Sequence, residues 1–285
     1  MNEILQQAFN GLAMGSVYTL IALGLTVVFG ILGIAHFAHG SVAMTGGYLT
    51  YLWVEQGGLN FFLAMGLAML MGLLLGLLIE RLAYHPVRNA PPINAFIIAL
   101  GLTMMFEGGN LLVFGADQIV IPTPFRGVLE VWGIVISQLR LIVMLTTLVL
   151  IMVFAWFISR TKTGKSIRAV AQNRSAAVLM GVNVAWVSVV VFSISSAVGV
   201  AAGALVGALL AIAPGVGEGL AVKGFAVLIL GGLGSIPGAI VGGMILGVSE
   251  AMAAGFIASA YKDVIAFLVM IAVLLWRPEG LLGKK

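Results

Sequence analysis

Cysteine is absent from the 285 residues, and charge is scarce: Asp, Glu, Lys and Arg together make up 8%. The first absence excludes disulfides, thiolate nucleophiles and Cys-ligated metal sites. With three histidines in the whole chain, no other metal site is well supplied, and no resident metal or cofactor is expected. The shortage of charge decides more. A soluble domain carries roughly a quarter charged residues, and so few cannot cover a surface that faces water. Between Glu3 and Glu55 there is no Lys, Arg, Asp or Glu at all. A hydrocarbon core of about 30 Å takes about 20 apolar residues per helix, so that run holds two crossings, or one crossing and a re-entrant piece. A basic front end is also lacking. Met1-Asn2-Glu3 has no Lys or Arg and the apolar run outlasts a signal's core, so the first helix is expected to be retained. The net charge of +4 includes no basic stripe interleaved with aromatics, which excludes a nucleic-acid surface.

Hydrophobic residues make up 61% of the chain. The fold class that follows is all-α: a polytopic transmembrane helix bundle, one domain over 1–285, with about eight helical passes. Spans are expected near 8–31, 38–54, 61–79, 94–114, 139–158, 186–211 and 263–276. Between the last two lies a broken apolar stretch, 224–256, interrupted at Gly231-Gly232-Leu233-Gly234-Ser235-Ile236-Pro237-Gly238. Pro removes a backbone donor and Gly weakens a helix, so two helical pieces are expected there, either re-entering or spanning.

Lys and Arg collect in short cytoplasmic loops. Three basic groups stand out: Arg81 with Arg88; Arg160, Lys162, Lys165, Arg168 and Arg174; and the tail, Arg277, Lys284 and Lys285. Placing all three inside puts the 115–138 loop and the N-terminus outside, in the periplasm, and the C-terminus in the cytoplasm. Small residues recur every four positions, as at Gly11 and Gly15 or Gly243 and Gly247, a spacing that lets helices approach closely in lipid. No internal repeat is evident in the residues.

Thr163-Gly164-Lys165-Ser166 resembles the end of a phosphate-binding loop, but Ser159 stands where that loop needs Gly, and an apolar helix precedes it instead of a strand. His36 and His39, three apart, read as polar residues of a turn at the membrane edge, with His39 also a candidate for the pathway. Two carboxylates fall within apolar runs, Glu107 and Glu250. Such groups are costly in lipid and face a partner or a water-filled path. Glu107 is a candidate to attract a substrate ammonium, or to pair with a helix end or a neighbouring subunit; Glu250 is expected near an interface.

The polar segment 159–185 is the most informative. Asn173 is placed to cap a short helix through its side-chain oxygen, Arg174 to Met180 fills two turns, and Gly181 suits the left-handed position after a helix. Flanked by basic residues, this helix either lies on anionic lipid or docks into a partner protein.

The run Ala171-Gln172-Asn173-Arg174-Ser175-Ala176-Ala177-Val178-Leu179-Met180-Gly181-Val182 resembles the coupling segment of bacterial ABC importer permeases for branched-chain amino acids, the Liv type. The resemblance extends over nearly the whole chain. It takes in Gly15 to Leu25 with Tyr18, Phe37-Ala38-His39-Gly40, Glu80-Arg81 with Tyr84 and Pro86-Val87-Arg88, Leu230 to Ala239, Tyr261-Lys262-Asp263 and Arg277-Pro278. It departs from the family pattern at His36, where Asn is expected, and at His85, where Arg is expected. What the resemblance implies is a permease that catalyses no bond chemistry and moves Leu, Ile or Val inward by ATP-driven alternating access. It also implies the partners: a second homologous permease in a heterodimer, two cytoplasmic ATPase subunits and a periplasmic binding protein. On this reading Asn173, Arg174, Ala176, Ala177, Met180 and Gly181 couple to the ATPases, and Glu107, His39, Gly234, Ser235 and Pro237 are pathway candidates. Related permeases carry amides or urea. The alternatives are an ion-coupled secondary transporter, which needs intramembrane ionisable groups, and a scaffold subunit with no pathway of its own.

Overall fold

The computed structural model describes residues 2–131 and 134–283. Its α-helices are α1 (Asn2–Leu32), α2 (His39–Glu55), α3 (Phe61–Leu78), α4 (Pro92–Phe114), α5 (Gln138–Arg160), α6 (Lys162–Gln172), α7 (Arg174–Leu179), α8 (Val184–Leu209), α9 (Val216–Gly231), α10 (Ile236–Phe256) and α11 (Lys262–Trp276). Antiparallel strands β1 (Val128–Val131) and β2 (Ile134–Ser137) precede α5, a hairpin within the expected 115–138 loop. Met1 and two of the basic tail residues, Lys284 and Lys285, lie outside the described residues.

Side-chain caps set several boundaries. Asn60 accepts from the Phe62 amide at 2.8 Å to open α3, Asn183 from the Trp186 amide at 3.1 Å to open α8, and Ser235 from the Gly238 amide at 3.1 Å to open α10. Each satisfies one of the orphan donors at a helix start. Beyond α3 the helix widens into a π-helical turn, Ile79–Tyr84, and tightens at His85–Val87.

Among the described residues seven helical segments are long and apolar enough to cross a bilayer, α3 being counted with the turns that continue it to Val87 and α11 with the turn Ser259–Tyr261 that precedes it. The other two of the bundle, α2 and α9, have 17 and 16 residues, or about 25 Å at 1.5 Å per residue, less than the hydrocarbon thickness. The eight or so passes expected from sequence thus resolve into seven full-length helices and two short ones. The broken stretch begins earlier than expected, at Val216 and not 224. The charged residues that hid its first two turns are accommodated: Glu218 is exposed and Lys223 is ion-paired.

Central helices α1 and α8 are the most enclosed, and α4 and α11 the least. The packing has a two-fold logic. α1 runs antiparallel along α10, Gly11 and Gly15 against Gly247 and Gly243, while α8 runs antiparallel along α3, Phe192 and Ala197 against Gly76 and Gly72. Each central helix is followed by a short one, and the starts of the two short helices meet: a Cβ on Gly217 would lie 2.8 Å from Cα of Ser41 and 2.9 Å from the carbonyl oxygen of Gly40. α1–α2–α3 and α8–α9–α10 therefore occupy equivalent places in the packing.

Candidate functional site

Glycine at 40 and 217 brings the N-terminal ends of α2 and α9 together inside the bundle, with α4 beside them. Ser41 and Thr45 lie one turn apart on α2, and Glu107 and Asn110 lie one turn apart on α4, so each pair shares a face. The faces meet. Ser41 Oγ donates to Glu107 Oε1 at 3.3 Å, and Asn110 Nδ2 donates to Thr45 Oγ1 at 3.1 Å. Glu218, exposed in the first turn of α9, is near enough to act on Glu107 through space. Short helices starting within a membrane protein turn their positive ends on its interior, and in transporters such ends flank the solute site.

This patch opens onto an uncovered face. A Cβ added at Gly101, Gly108 or Gly109 of α4, or at Gly215 or Gly219 around the start of α9, would meet nothing within 4 Å. Most glycines on α1, α3, α8 and α10 meet a neighbouring element instead, Gly66 of α3 being open like those of α4. A half-buried carboxylate among hydroxyls and an amide holds a cation or a hydrogen-bond donor without any bond being made or broken.

Glu250 has a different setting. The sequence placed it near an interface; it lies inside the bundle, 8% exposed, with Lys223 Nζ of α9 at 3.0 Å from Oε1 and 3.0 Å from Oε2. Tyr18 of α1 donates to Oε2 at 2.7 Å, and Asp263 of α11 stands 3.0 Å from the same Nζ. The carboxylate is neutralised by its own chain because Lys223 lies within α9, and not before it as the expected start at 224 implied.

His36 and His39 are also corrected. Neither is at a membrane edge: both are fully buried. The segment 33–38 folds back along α1, so that His39 packs against Gly24 of α1 and Gly199 of α8, about 12 Å back from the end of α1 at residue 32. His36 Nδ1 is 2.9 Å from Tyr84 Oη. His39 thus sits behind the Glu107 patch, enclosed by helices. Gly234, Ser235 and Pro237 are elsewhere, at the basic end of the bundle, beside a cavity of about 680 Å³ that Thr26, Arg168 and Gln172 also line. Gly234 has φ +78° and packs on Gly30. The chain end closes this break, with the Leu281 and Leu282 amides donating to the carbonyls of Leu230 and Gly231. The pathway candidates therefore fall at two levels of the bundle.

The short helix forms where the sequence puts it. Asn173 Oδ1 accepts from the Ala176 amide at 2.9 Å. The Gly181 amide donates to Val178 at 2.9 Å and the Val182 amide to Ala177 at 3.0 Å, a Schellman ending with Gly181 at φ +81°. Ala177 is buried against the bundle, whereas Leu179 and Met180 are 87% and 84% exposed. Ala176, Leu179 and Met180, spaced three and four apart, make the outward stripe. A second helix in this loop, α6, was missed. Thr161 caps it, accepting from Gly164 at 2.9 Å, and Gly164, Ile167 and Val170 face inward, a cap and a periodicity that were there to read. It holds Thr163 to Ser166 within a helix and not in a phosphate loop.

Ser41, Thr45, Asn110, Glu218 and Lys223 were not singled out from sequence. Serine, threonine and asparagine are ordinary in membrane helices, and only their convergence on Glu107 marks them.

A family model described as branched-chain amino acid transport system / permease component matches residues 7–274. The chain is 35% identical to the high-affinity branched-chain amino acid transport system permease protein LivH of Escherichia coli K12, over 98% of this chain and 96% of that one. Identity and coverage are the same with the corresponding protein BraD of Pseudomonas aeruginosa. With a probable LivH of Methanocaldococcus jannaschii, identity is 31% over 93% of this chain and 88% of the relative. No solved structure matches.

Proposed function

The chain belongs to the family of branched-chain amino acid transport permeases, and from that premise we propose that it is the membrane subunit that moves Leu, Ile or Val inward in a binding-protein-dependent ABC importer. Its partners are a second homologous permease, two cytoplasmic ATPase subunits that carry out all hydrolysis, and a periplasmic binding protein. It sits in the bacterial inner membrane with the basic end of the bundle in the cytoplasm, the N-terminus periplasmic and the 115–138 loop outside.

The observation that carries this reading is Glu107 at the junction of two short helices, on a face that no other described residue covers. A carboxylate inside a span is too costly to face lipid. Glu107 and Ser41 take the substrate ammonium, the positive helix ends favour its carboxylate, and the partner permease closes the uncovered face. His39 fixes the packing of α1, α2 and α8 behind the patch. Gly234, Ser235 and Pro237 shape the pathway at its cytoplasmic end.

The helix from Arg174 to Leu179 receives the ATPase motion, its caps Asn173 and Gly181 making it stiff. Ala177 anchors it to the bundle, and Ala176, Leu179 and Met180 make the docking stripe. The test is uptake into proteoliposomes holding the assembled complex, with binding protein and a panel of branched-chain amino acids, amides and urea. Branched-chain amino acids should be accumulated only with ATP. Leu179→Asp should lower uptake several-fold while membrane insertion is kept, with ATPase association or the ratio of substrate moved to ATP hydrolysed falling alongside. Accumulation without the ATPase subunits, collapsed by an uncoupler, would overturn the reading.

A further inference from the structure

The basic end of the bundle has a second buried carboxylate, which the proposed pathway does not use. Glu80 lies in the π-helical turn that ends α3 and its side chain is 3% exposed. Oε2 has no hydrogen-bond partner among the described residues, and the nearest cation, Arg81 Nε, is 3.9 Å away on a side chain that is half exposed. An α-helical continuation would turn this residue differently; π-helical turns are rare and recur at functional sites. Glu80 lines a cavity of about 310 Å³ between the ends of α1 and α3 and the starts of α4, α7 and α8. Arg88 and Arg174 line the same cavity, and Ile34, Phe96 and Val184 supply apolar wall.

A buried polar group is nearly always satisfied, and a buried charge without a partner is far costlier than one with a partner. The cavity offers one acceptor for an ammonium, two guanidiniums for a carboxylate and an apolar lining between them. We propose that it binds a cytoplasmic α-amino acid with a small aliphatic side chain, its ammonium on Glu80 and its carboxylate on Arg88 and Arg174. Arg174 is the first residue of α7, so occupancy ties the coupling helix to the ends of α3 and α4 and slows the ATPase cycle. The site is a brake set by the product already inside the cell. The choice of ligand rests on the transport reading above; the site itself rests on the cavity and on Glu80.

The complex, assembled in nanodiscs free of amine-bearing lipid, is titrated with radiolabelled leucine without binding protein, and in sealed proteoliposomes of the same lipid ATP hydrolysis is followed as leucine is added on the ATPase side. Leucine should bind and slow hydrolysis, isoleucine and valine should compete, and N-acetyl-leucine, which has no ammonium, should not. Glu80→Gln should weaken this binding about tenfold or more, the loss of a charge-assisted contact, and release the brake. Uptake into leucine-free vesicles should stay at the wild-type rate. Val184→Trp, which fills the cavity from α8 without altering the carboxylate, should abolish binding too, and covers the case in which Glu80→Gln fails to assemble. Leucine that binds both variants as tightly as wild type would overturn the proposal, as would a wild type that imports leucine but hydrolyses ATP at one rate whatever the leucine on the ATPase side. A brake that disappears when amine-bearing lipid is restored would assign the cavity to a lipid headgroup and overturn it equally. A complex that imports no branched-chain amino acid is a failure of the transport reading, seen in the uptake arm alone; binding of labelled leucine lost with Glu80→Gln would still stand for the cavity.

Discussion

Glu107 and Glu250 look alike in sequence, each a single carboxylate within an apolar run, and the fold gives them opposite settings. Glu250 is held by a lysine, a tyrosine and, through the lysine, an aspartate, tying α1, α9, α10 and α11 together. Among the described residues Glu107 has one hydroxyl within reach and no cation, and it borders a face with no neighbour. Glu250 is buried and Glu107 half-buried, but burial alone does not assign a role. What separates them is whether the chain supplies the counter-charge: where it does, the acid holds helices together, and where it does not, something from outside must.

The largest effect tests the structural half of this contrast. Lys223→Met leaves Glu250 buried without its cation, and removing one partner of a buried ion pair costs about 3 to 5 kcal/mol. That is comparable with the stability of many domains, so little folded protein should be recovered. Replacing the whole pair with apolar side chains of similar size is often near neutral. Lys223→Met with Glu250→Met should therefore restore much of the yield and of the detergent melting temperature, with Tyr18 and Asp263 left to water or each other. A single variant as stable as wild type would mean that Glu250 is no more structural than Glu107, and the contrast would fail.

Glu107→Gln comes next. It keeps shape and hydrogen bonding, so protein amount and complex assembly should match wild type, while uptake falls about tenfold or more, the worth of one charge-assisted contact. Size-exclusion profiles set beside transport rates check both parts. Normal uptake would leave Glu107 without a role in the pathway. Loss of assembly would give it the structural role of Glu250.

Much of this fold was legible. Apolar runs marked seven spans because each must satisfy its backbone within itself and face lipid or other helices, and Asn173 with Gly181 marked a short helix because capping is local chemistry. The rest depends on partners distant in sequence. Lys223 is 27 residues from Glu250 along the chain, and as a charge in an apolar stretch it moved the expected start of α9 away from its true one. The histidines were misplaced because a loop of His and Ala reads as polar, and nothing local says that it folds back between α1 and α8. Ala177 was read with Ala176 as a docking surface, although at consecutive positions the two side chains point about 100° apart around the helix. In the Glu107 patch the acid was visible in sequence, but Thr45 and Asn110, 65 residues apart, were not.

The smallest expected effect is at that pair, and it tests whether the patch is a set of contacts or a single charge. Thr45 Oγ1 receives the Asn110 amide at 3.1 Å and itself lies 3.0 Å from the carbonyl oxygen of Ser41. Asn110 is buried, so Thr45→Val, nearly the same shape, leaves its amide without that acceptor. An interaction of this kind contributes about 1 kcal/mol, a factor of about five in an equilibrium at 1.4 kcal/mol per tenfold. The bundle as a whole should tolerate that: yield and melting temperature should scarcely move, since no charge is stranded. What should move is the orientation of α4 against α2, and with it the position of Glu107 relative to Ser41, so that half-saturation for uptake rises about two- to fivefold with the maximal rate nearly kept. An effect as large as that of Glu107→Gln would make the hydroxyl and amide, and not the charge, the centre of the patch. A collapse in yield would place Thr45 and Asn110 with Lys223 and Glu250, among the groups that hold helices together, and leave Glu107 without the setting that distinguishes it.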